Sequence, residues 1–210
     1  MIAILDYGAG NLTSVRLAFQ YIGAEAVVTS DAGIADSADR IVFPGVGSAE
    51  SGMAGLRKSG LDRVLLRAFR EGKPILSVCL GMQMLLDFSE EDGGVAGLGL
   101  VPGKVKLFRF PPEQRVKIPH MGWNTLRQEV RHPLFRGIRE GEAFYFVHSY
   151  YAAPESAGDC AGTTEYADFR FASVIGRKNL FATQFHPERS GKAGLQLLKN
   201  FTEWDGAACC

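Results

Sequence analysis

Three residues of this chain have the types that covalent acyl-transfer chemistry needs: a thiol at Cys79, an imidazole at His186 and a carboxylate at Glu188. Cys79 stands where a short apolar run, residues 75–78, gives way to the helix formers Leu80, Met82, Gln83, Met84, Leu85 and Leu86. Such a run reads as a strand buried on both faces, as in a parallel sheet. A side chain at that junction projects over the sheet edge at the N-terminal end of a helix. The helix dipole and the free backbone N–H groups there favour an anion, which suits a thiolate nucleophile. Gly81 gives the close-packed turn its room. The arrangement is a nucleophile elbow with cysteine in place of serine.

Most free cysteines are inert core residues, and Cys-Leu-Gly alone leaves packing and catalysis evenly balanced. The segment Gln184-Phe185-His186-Pro187-Glu188 shifts that balance. Residues 180–185 read as a strand, and a spacing of two puts His186 and Glu188 on one face of an extended chain. A carboxylate beside an imidazole fixes its tautomer and raises its basicity. Nucleophile, base and orienting acid are then all present.

The composition fits a soluble enzyme. The chain has 210 residues, and its 23 basic and 23 acidic side chains cancel. No basic stripe stands out, so nucleic acid is not an expected partner. No apolar stretch is long enough for a membrane span, and the N-terminal run is too short for a signal peptide. Cys79, Cys160, Cys209 and Cys210 show neither zinc-ligand spacing nor a disulfide framework, and the last two read as exposed thiols on a frayed tail. We expect a cytosolic enzyme without metal or cofactor. One domain over residues 1–204, with a disordered tail at 205–210, accounts for the length.

The first half alternates strand and helix patterns, with strands at residues 2–5, 26–29, 40–43 and 75–78. Asn11 or Thr13 caps a first helix that Gly23 ends, and residues 48–70 form a helical stretch interrupted near Ser59-Gly60. This order predicts a doubly wound, mostly parallel α/β sheet with flanking helices. Such sheets hold ligands beyond the carboxyl ends of their strands. Asp6-Tyr7-Gly8, Pro44-Gly45-Val46-Gly47 and Cys79 all fall there, around one crevice. The second half is strand-rich over residues 104–110, 143–151, 160–166, 171–175 and 180–185. It predicts an antiparallel β extension, closed by a helix over residues 191–204.

Gly8-Ala9-Gly10-Asn11 lacks the third glycine of a dinucleotide-binding turn and reads as a plain turn. Pro44-Gly45-Val46-Gly47 is a turn whose backbone N–H groups, with that of Leu80, suit a tetrahedral oxyanion. His148 reads as a polar strand terminus lining the pocket. His120 and His132 sit in proline-rich loops and carry no clear signal.

Cys79-Leu80-Gly81-Met82-Gln83 with Gln184-Phe185-His186-Pro187-Glu188 resembles the class I (triad) glutamine amidotransferases, a flavodoxin-like fold. Asp6-Tyr7-Gly8-Ala9-Gly10-Asn11, Pro44-Gly45-Val46-Gly47, Pro119-His120-Met121-Gly122-Trp123-Asn124 and Phe146-Val147-His148-Ser149-Tyr150 narrow the resemblance. They are similar to the glutaminase subunits of imidazole glycerol phosphate synthases, of histidine biosynthesis. The family usually has glycine where this chain has Ser77.

The resemblance implies hydrolysis of L-glutamine to glutamate and ammonia. Cys79 is then the nucleophile, His186 the acid and base, and Glu188 its orienter. Backbone N–H groups of Val46, Gly47 and Leu80 hold the oxyanion, and Gly47, Gln83, Ser149 and Tyr150 bind glutamine. The implied partner is a (βα)8-barrel cyclase in a heterodimer. It joins the ammonia to a phosphorylated ribulosyl-formimino nucleotide (PRFAR), giving imidazole glycerol phosphate and an aminoimidazole ribonucleotide (AICAR). A sealed interface near Asn11, Trp123, Asn124 and Tyr145 would carry the ammonia. Low glutaminase activity without the partner is expected. Three alternatives stay open on the residues alone: the same chemistry with another acceptor, a regulatory module of this fold, and a cysteine peptidase.

Overall fold

The computed structural model of the chain describes residues 1–8 and 10–207. Ala9, Ala208, Cys209 and Cys210 lie outside the described residues, and with them part of the Gly-Ala-Gly turn and the end of the expected tail.

Five strands form the parallel half of one large sheet. They are β1 (Ile2–Leu5), β2 (Ala26–Thr29), β3 (Arg40–Gly45), β4 (Ile75–Cys79) and, from late in the chain, a strand over Leu180–Thr183, in the spatial order β2, β1, β3, β4, Leu180–Thr183. Alternating residues of these strands feed two cores. Ala3, Leu5, Ile41, Phe43 and Ile75 pack on one face, while Ile2, Ile4, Val42, Leu76 and Val78 pack on the other. Burial on both faces is why these segments read as continuous apolar runs.

The first face is covered by α2 (Ala32–Ser37), α3 (Ala49–Ser59), α4 (Leu61–Glu71) and the short α5 (Leu80–Met84), and the second by α1 (Leu12–Tyr21) and α6 (Gly191–Glu203). The sheet is therefore doubly wound. Gly60, at φ +74°, makes the left-handed break between α3 and α4 that the sequence marks at Ser59-Gly60.

The rest of the sheet is mostly antiparallel. It contains β5 (Leu86–Ser89), β6 (Val95–Ala96), β7 (Val101–Leu107), β9 (Arg127–Gln128), β11 (Tyr150–Pro154), β12 (Cys160–Tyr166) and β13 (Phe169–Arg177), and β13 joins it antiparallel to the Leu180–Thr183 strand, β14. Two further strands, β8 (His120–Thr125) and β10 (Ala143–His148), pair only with each other among the described residues, as an antiparallel ribbon.

Several elements differ from expectation. The helix after Cys79 ends at Met84, because Leu86 turns into β5 and pairs with Val101. The apolar stretch at residues 143–151 is two strands broken at Ser149, one in each sheet. His120 lies in a strand, not a loop. Residues 205–207 fold back on the helix end, where Trp204 Nε1 donates to the Ala207 carbonyl at 3.0 Å.

Candidate active site

Cys79 ends β4 beside Gly45, its register partner on β3. Its backbone has φ +55° and ψ −111°. A β-carbon-bearing residue pays about 1–3 kcal/mol for such a conformation. The strand that holds it buries Ile75, Leu76 and Val78 to 2 % exposure or less. Each such side chain contributes about 1.5–3 kcal/mol, so the packing outweighs the strain. A Cβ at Gly81 would lie 2.0 Å from the Phe43 carbonyl oxygen, so glycine alone lets α5 start this close to β3. Ser77, in the middle of β4, is fully buried and its hydroxyl has no hydrogen-bond partner.

His186 follows β14, which ends at Thr183 rather than at Phe185. The His186–Glu188 pairing therefore does not come from strand alternation. Pro187 starts a 3-10 turn, Pro187–Arg189, and the turn folds Glu188 back under the ring. His186 Nδ1 donates to Glu188 Oε1 at 2.8 Å, and Asn11 Nδ2 donates to the same oxygen at 2.6 Å. The His186 backbone is clamped as well: its N–H donates to the Tyr145 carbonyl, and Ser190 Oγ donates to its carbonyl.

The imidazole is buried, and burial alone would push its pKa down. The Cys79 thiol on one side and Glu188 on the other overcome this and push His186 up to about 10. Nε2 has no partner of strict hydrogen-bond geometry, and the looser interaction with the sulfur is the stronger of the two raising influences. Cys79 Sγ also receives a long N–H bond from Gln184 Nε2 at 3.7 Å.

A cavity of about 330 Å³ opens over the sulfur, lined among others by Val46, Gly47, Leu80, Gln83, Ser149 and Tyr150. All the residues expected at the oxyanion and at glutamine thus border one space with Cys79. Gly47 has φ +113°, a conformation that glycine tolerates and other residues rarely adopt. Gln83 Nε2 donates to the Tyr150 carbonyl and to Gln184 Oε1, both at 3.0 Å.

One cavity residue, Glu91, escaped the sequence reading. Burial raises its pKa. Its Oε2 accepts the Ala49 N–H at the start of α3 at 2.7 Å. The only signal was an acidic run, Glu90-Glu91-Asp92, which reads as a solvated turn. The Tyr7 hydroxyl donates to the Pro44 carbonyl at 2.7 Å and braces the Pro44–Gly47 loop from below. Burial, and then the charge at Cys79, push that hydroxyl far above its usual range, so it stays a donor.

Of the four expected interface residues, Trp123 is 59 % exposed and meets half-buried Tyr145 edge to face. Met121 is equally open, at 62 %. Asn11 and Asn124 turn their side chains inward, Asn11 to Glu188 and Asn124 to His120.

A glutamine amidotransferase class-I family model matches residues 3–204. This chain belongs to the class-I glutamine amidotransferases. Among relatives in this family, "Imidazole glycerol phosphate synthase subunit HisH" of Acinetobacter baylyi is 49 % identical over 97 % of this chain and 98 % of its own. The protein of the same name from Chromobacterium violaceum is 47 % identical over 98 % of both chains. A crystal structure of a glutamine amidotransferase superposes with TM-score 0.75 at 16 % identity, covering 98 % of this chain and 99 % of that one. The structure of PurLQS from Thermotoga maritima gives 0.73 at 15 % identity over 96 % and 97 %. Likenesses with so little sequence in common show the fold alone. No helix among the described residues is long and apolar enough to cross a membrane.

The amidotransferase core also buries three further histidines. Burial pushes His148 down to about 3, and His120 and His132 to about 4. All are neutral in both folded and unfolded chains above the ordinary histidine range. Below about pH 6.5 the unfolded chain takes up protons that the folded chain refuses, so stability falls on acidification. At about pH 5 His148 alone costs about 2 kcal/mol, which lowers Tm by about 4–8 °C relative to neutrality. A His148→Asn chain should lose less over the same interval. Equal acid losses in the two proteins would contradict this account.

Proposed function

We propose that this chain is the glutaminase subunit of an imidazole glycerol phosphate synthase in histidine biosynthesis. It hydrolyses L-glutamine and delivers the ammonia to a (βα)8-barrel cyclase that converts PRFAR to imidazole glycerol phosphate and AICAR. The observation that carries this reading is a thiol held at a strained strand–helix junction against a buried His186–Glu188 pair, at the floor of a cavity the size of an amino acid.

Glutamine lies with its carboxamide carbon over Cys79 Sγ. The sulfur attacks, a C–S bond forms, and the carbonyl oxygen becomes an oxyanion that takes backbone N–H bonds from Leu80 and the Val46-Gly47 segment. His186, protonated at Nε2, gives that proton to the departing nitrogen as the C–N bond breaks, and ammonia leaves. Nε2 then takes a proton from water, the hydroxide attacks the thioester, and the C–S bond breaks to release glutamate. Glu188 holds the Nδ1–H tautomer and the imidazolium throughout. Gly47, Gln83, Ser149 and Tyr150 hold the substrate backbone, and the Glu91 carboxylate matches its ammonium group.

Ammonia loses its lone pair to protonation in water, so the cyclase must cover the exit. Exposed Met121 and Trp123 with Tyr145 supply an apolar, aromatic patch suited to that seat. The ribbon that bears them bonds directly to His186, which links docking to the triad. The test is synthase activity after mixing with the cyclase. The cyclase should need this chain when glutamine is the nitrogen source and dispense with it when ammonium salts are supplied. Absence of glutamate release from the mixture would overturn the proposal.

A further inference from the structure

One hydrogen-bonded chain runs from the exposed ribbon to the floor of the cavity. Asn124 Nδ2 meets His120 Nε2 at 3.2 Å, His120 Nδ1 meets His148 Nε2 at 2.9 Å, and His148 Nδ1 meets the Tyr150 carbonyl at 2.7 Å. The Tyr150 carbonyl also accepts from Gln83 Nε2, which is bonded to Gln184, which in turn donates to Cys79 Sγ.

The proton positions in this chain are forced from both ends. A carbonyl only accepts, so His148 carries its proton on Nδ1, and a neutral His148 must accept at Nε2. His120 must then donate from Nδ1 and accept at Nε2, which requires an N–H donor from Asn124. The Asn124 amide is oriented independently of the histidines. Its Nδ2 donates to the Glu165 carbonyl at 2.8 Å and its Oδ1 accepts the Thr125 N–H at 2.8 Å. Each link therefore has one donor and one acceptor, with both rings neutral. His120 is held flat between Phe146 and Tyr166, at centroid distances of 4.9 and 4.1 Å, so it has little freedom to choose another partner.

We propose that His120 is a positioning residue for substrate. Through His148 it fixes the Tyr150 carbonyl and hence the Gln83 side chain, two groups that border the cavity over Cys79. His120 itself does not line the cavity, whereas His148, to which it bonds, does. Its neighbours on β8, Met121 and Trp123, face outward, so the strand that docks a partner is also the strand that holds the first imidazole of the relay. The relay ends on groups that touch bound glutamine rather than on the reacting carbon, so its loss should appear in KM. This inference rests on the glutaminase reading of the cavity.

The test compares His120→Phe and His120→Asn with the unaltered chain, each mixed with the cyclase. Phenylalanine keeps the stacked ring and removes both bonds, whereas asparagine keeps a donor near the Nδ1 position. His120→Phe should raise KM for glutamine about tenfold or more while kcat changes by less than about threefold, and His120→Asn should recover most of the loss. Long-range ¹H–¹⁵N spectra of the unaltered chain should show both imidazoles protonated at Nδ1 alone. An unchanged KM in a folded His120→Phe protein overturns the positioning role, and an Nε2–H tautomer at either ring overturns the relay. A mixture of the unaltered chain and cyclase that releases no glutamate sinks the glutaminase reading instead, and the tautomer spectrum still decides the relay.

Discussion

Replacing Cys79 by serine is expected to lower glutamine-dependent synthase activity by at least about 10³-fold, while ammonia-dependent activity of the same complex stays nearly unchanged. The two hydroxyl and thiol side chains are close in size, and Cys79 is almost fully buried, so the cavity and the fold survive the exchange. What is lost is nucleophilicity. A thiol beside a cationic imidazole gives a thiolate without extra machinery, whereas a serine hydroxyl needs a far stronger base. His186 is held as an imidazolium by Cys79 and Glu188 together, so it is poised to donate a proton, not to remove one from an alcohol. Cys79→Ala should match Cys79→Ser in glutamate release, since neither retains the sulfur. The ammonia-dependent control matters because it separates loss of chemistry from loss of docking. Serine at this position releasing glutamate at the native rate would remove the thioester from the mechanism.

The elbow itself was readable in one dimension. Three apolar residues around a small serine, then a thiol, then helix formers leave few arrangements other than a buried parallel strand entering a helix, and β4 and α5 have that form. The length of the helix was not readable. Leu85 and Leu86 have helical propensity, but pairing of Leu86 with Val101 pulls the chain into β5, a tertiary demand that outweighs a few tenths of a kcal/mol per residue. Helix α2, Ala32–Ser37, is six residues long, too short to hold together on propensity alone. It exists because the Asp31 carboxylate caps Gly33 and Ile34 and because Ala35 is buried against the sheet. Strand β8 holds glycine and asparagine and lacks β-branched residues until its end, so only its pairing with β10 reveals it. The same blindness hid the remote contacts of His120 and Asn124. The two are only four residues apart, but His148 and Glu165, which complete their hydrogen bonds, lie 28 and 41 residues further on, where no local spacing encodes them. Glu91 reaches the cavity for an equally remote reason, the position of the α3 N-terminus beside it. His186 and Glu188 were legible as a pair because their contact is local, although a proline-started turn makes it rather than a strand.

That turn makes Glu188→Gln the sharper test of the triad. In the native site a single oxygen, Oε1, accepts from both His186 Nδ1 and Asn11 Nδ2, while Oε2 is buried without a partner. Glutamine can keep its oxygen at the Oε1 position. Its amide nitrogen then occupies the Oε2 position, where two N–H donors find no acceptor. The alternative flip sets an N–H against both existing donors and breaks both bonds. Either way the negative charge that helps to hold His186 as an imidazolium is gone. We expect kcat for glutamine to fall by about 10²–10⁴-fold, the scale set by amide replacement of the orienting acid in other triads. KM should move little, since Glu188 does not line the cavity. The sign of the pH effect follows from charge. A carboxylate favours the protonated ring, so its removal lowers the His186 pKa, and the alkaline limb of the kcat/KM profile should shift to lower pH. Asn11→Ala leaves the charge and one of the two bonds in place, so it should cost far less, about tenfold, with the alkaline limb unmoved. If Glu188→Gln retained kcat within about tenfold and left the pH profile where it was, the carboxylate would be a structural prop and the imidazole would owe its protonation to the thiol alone.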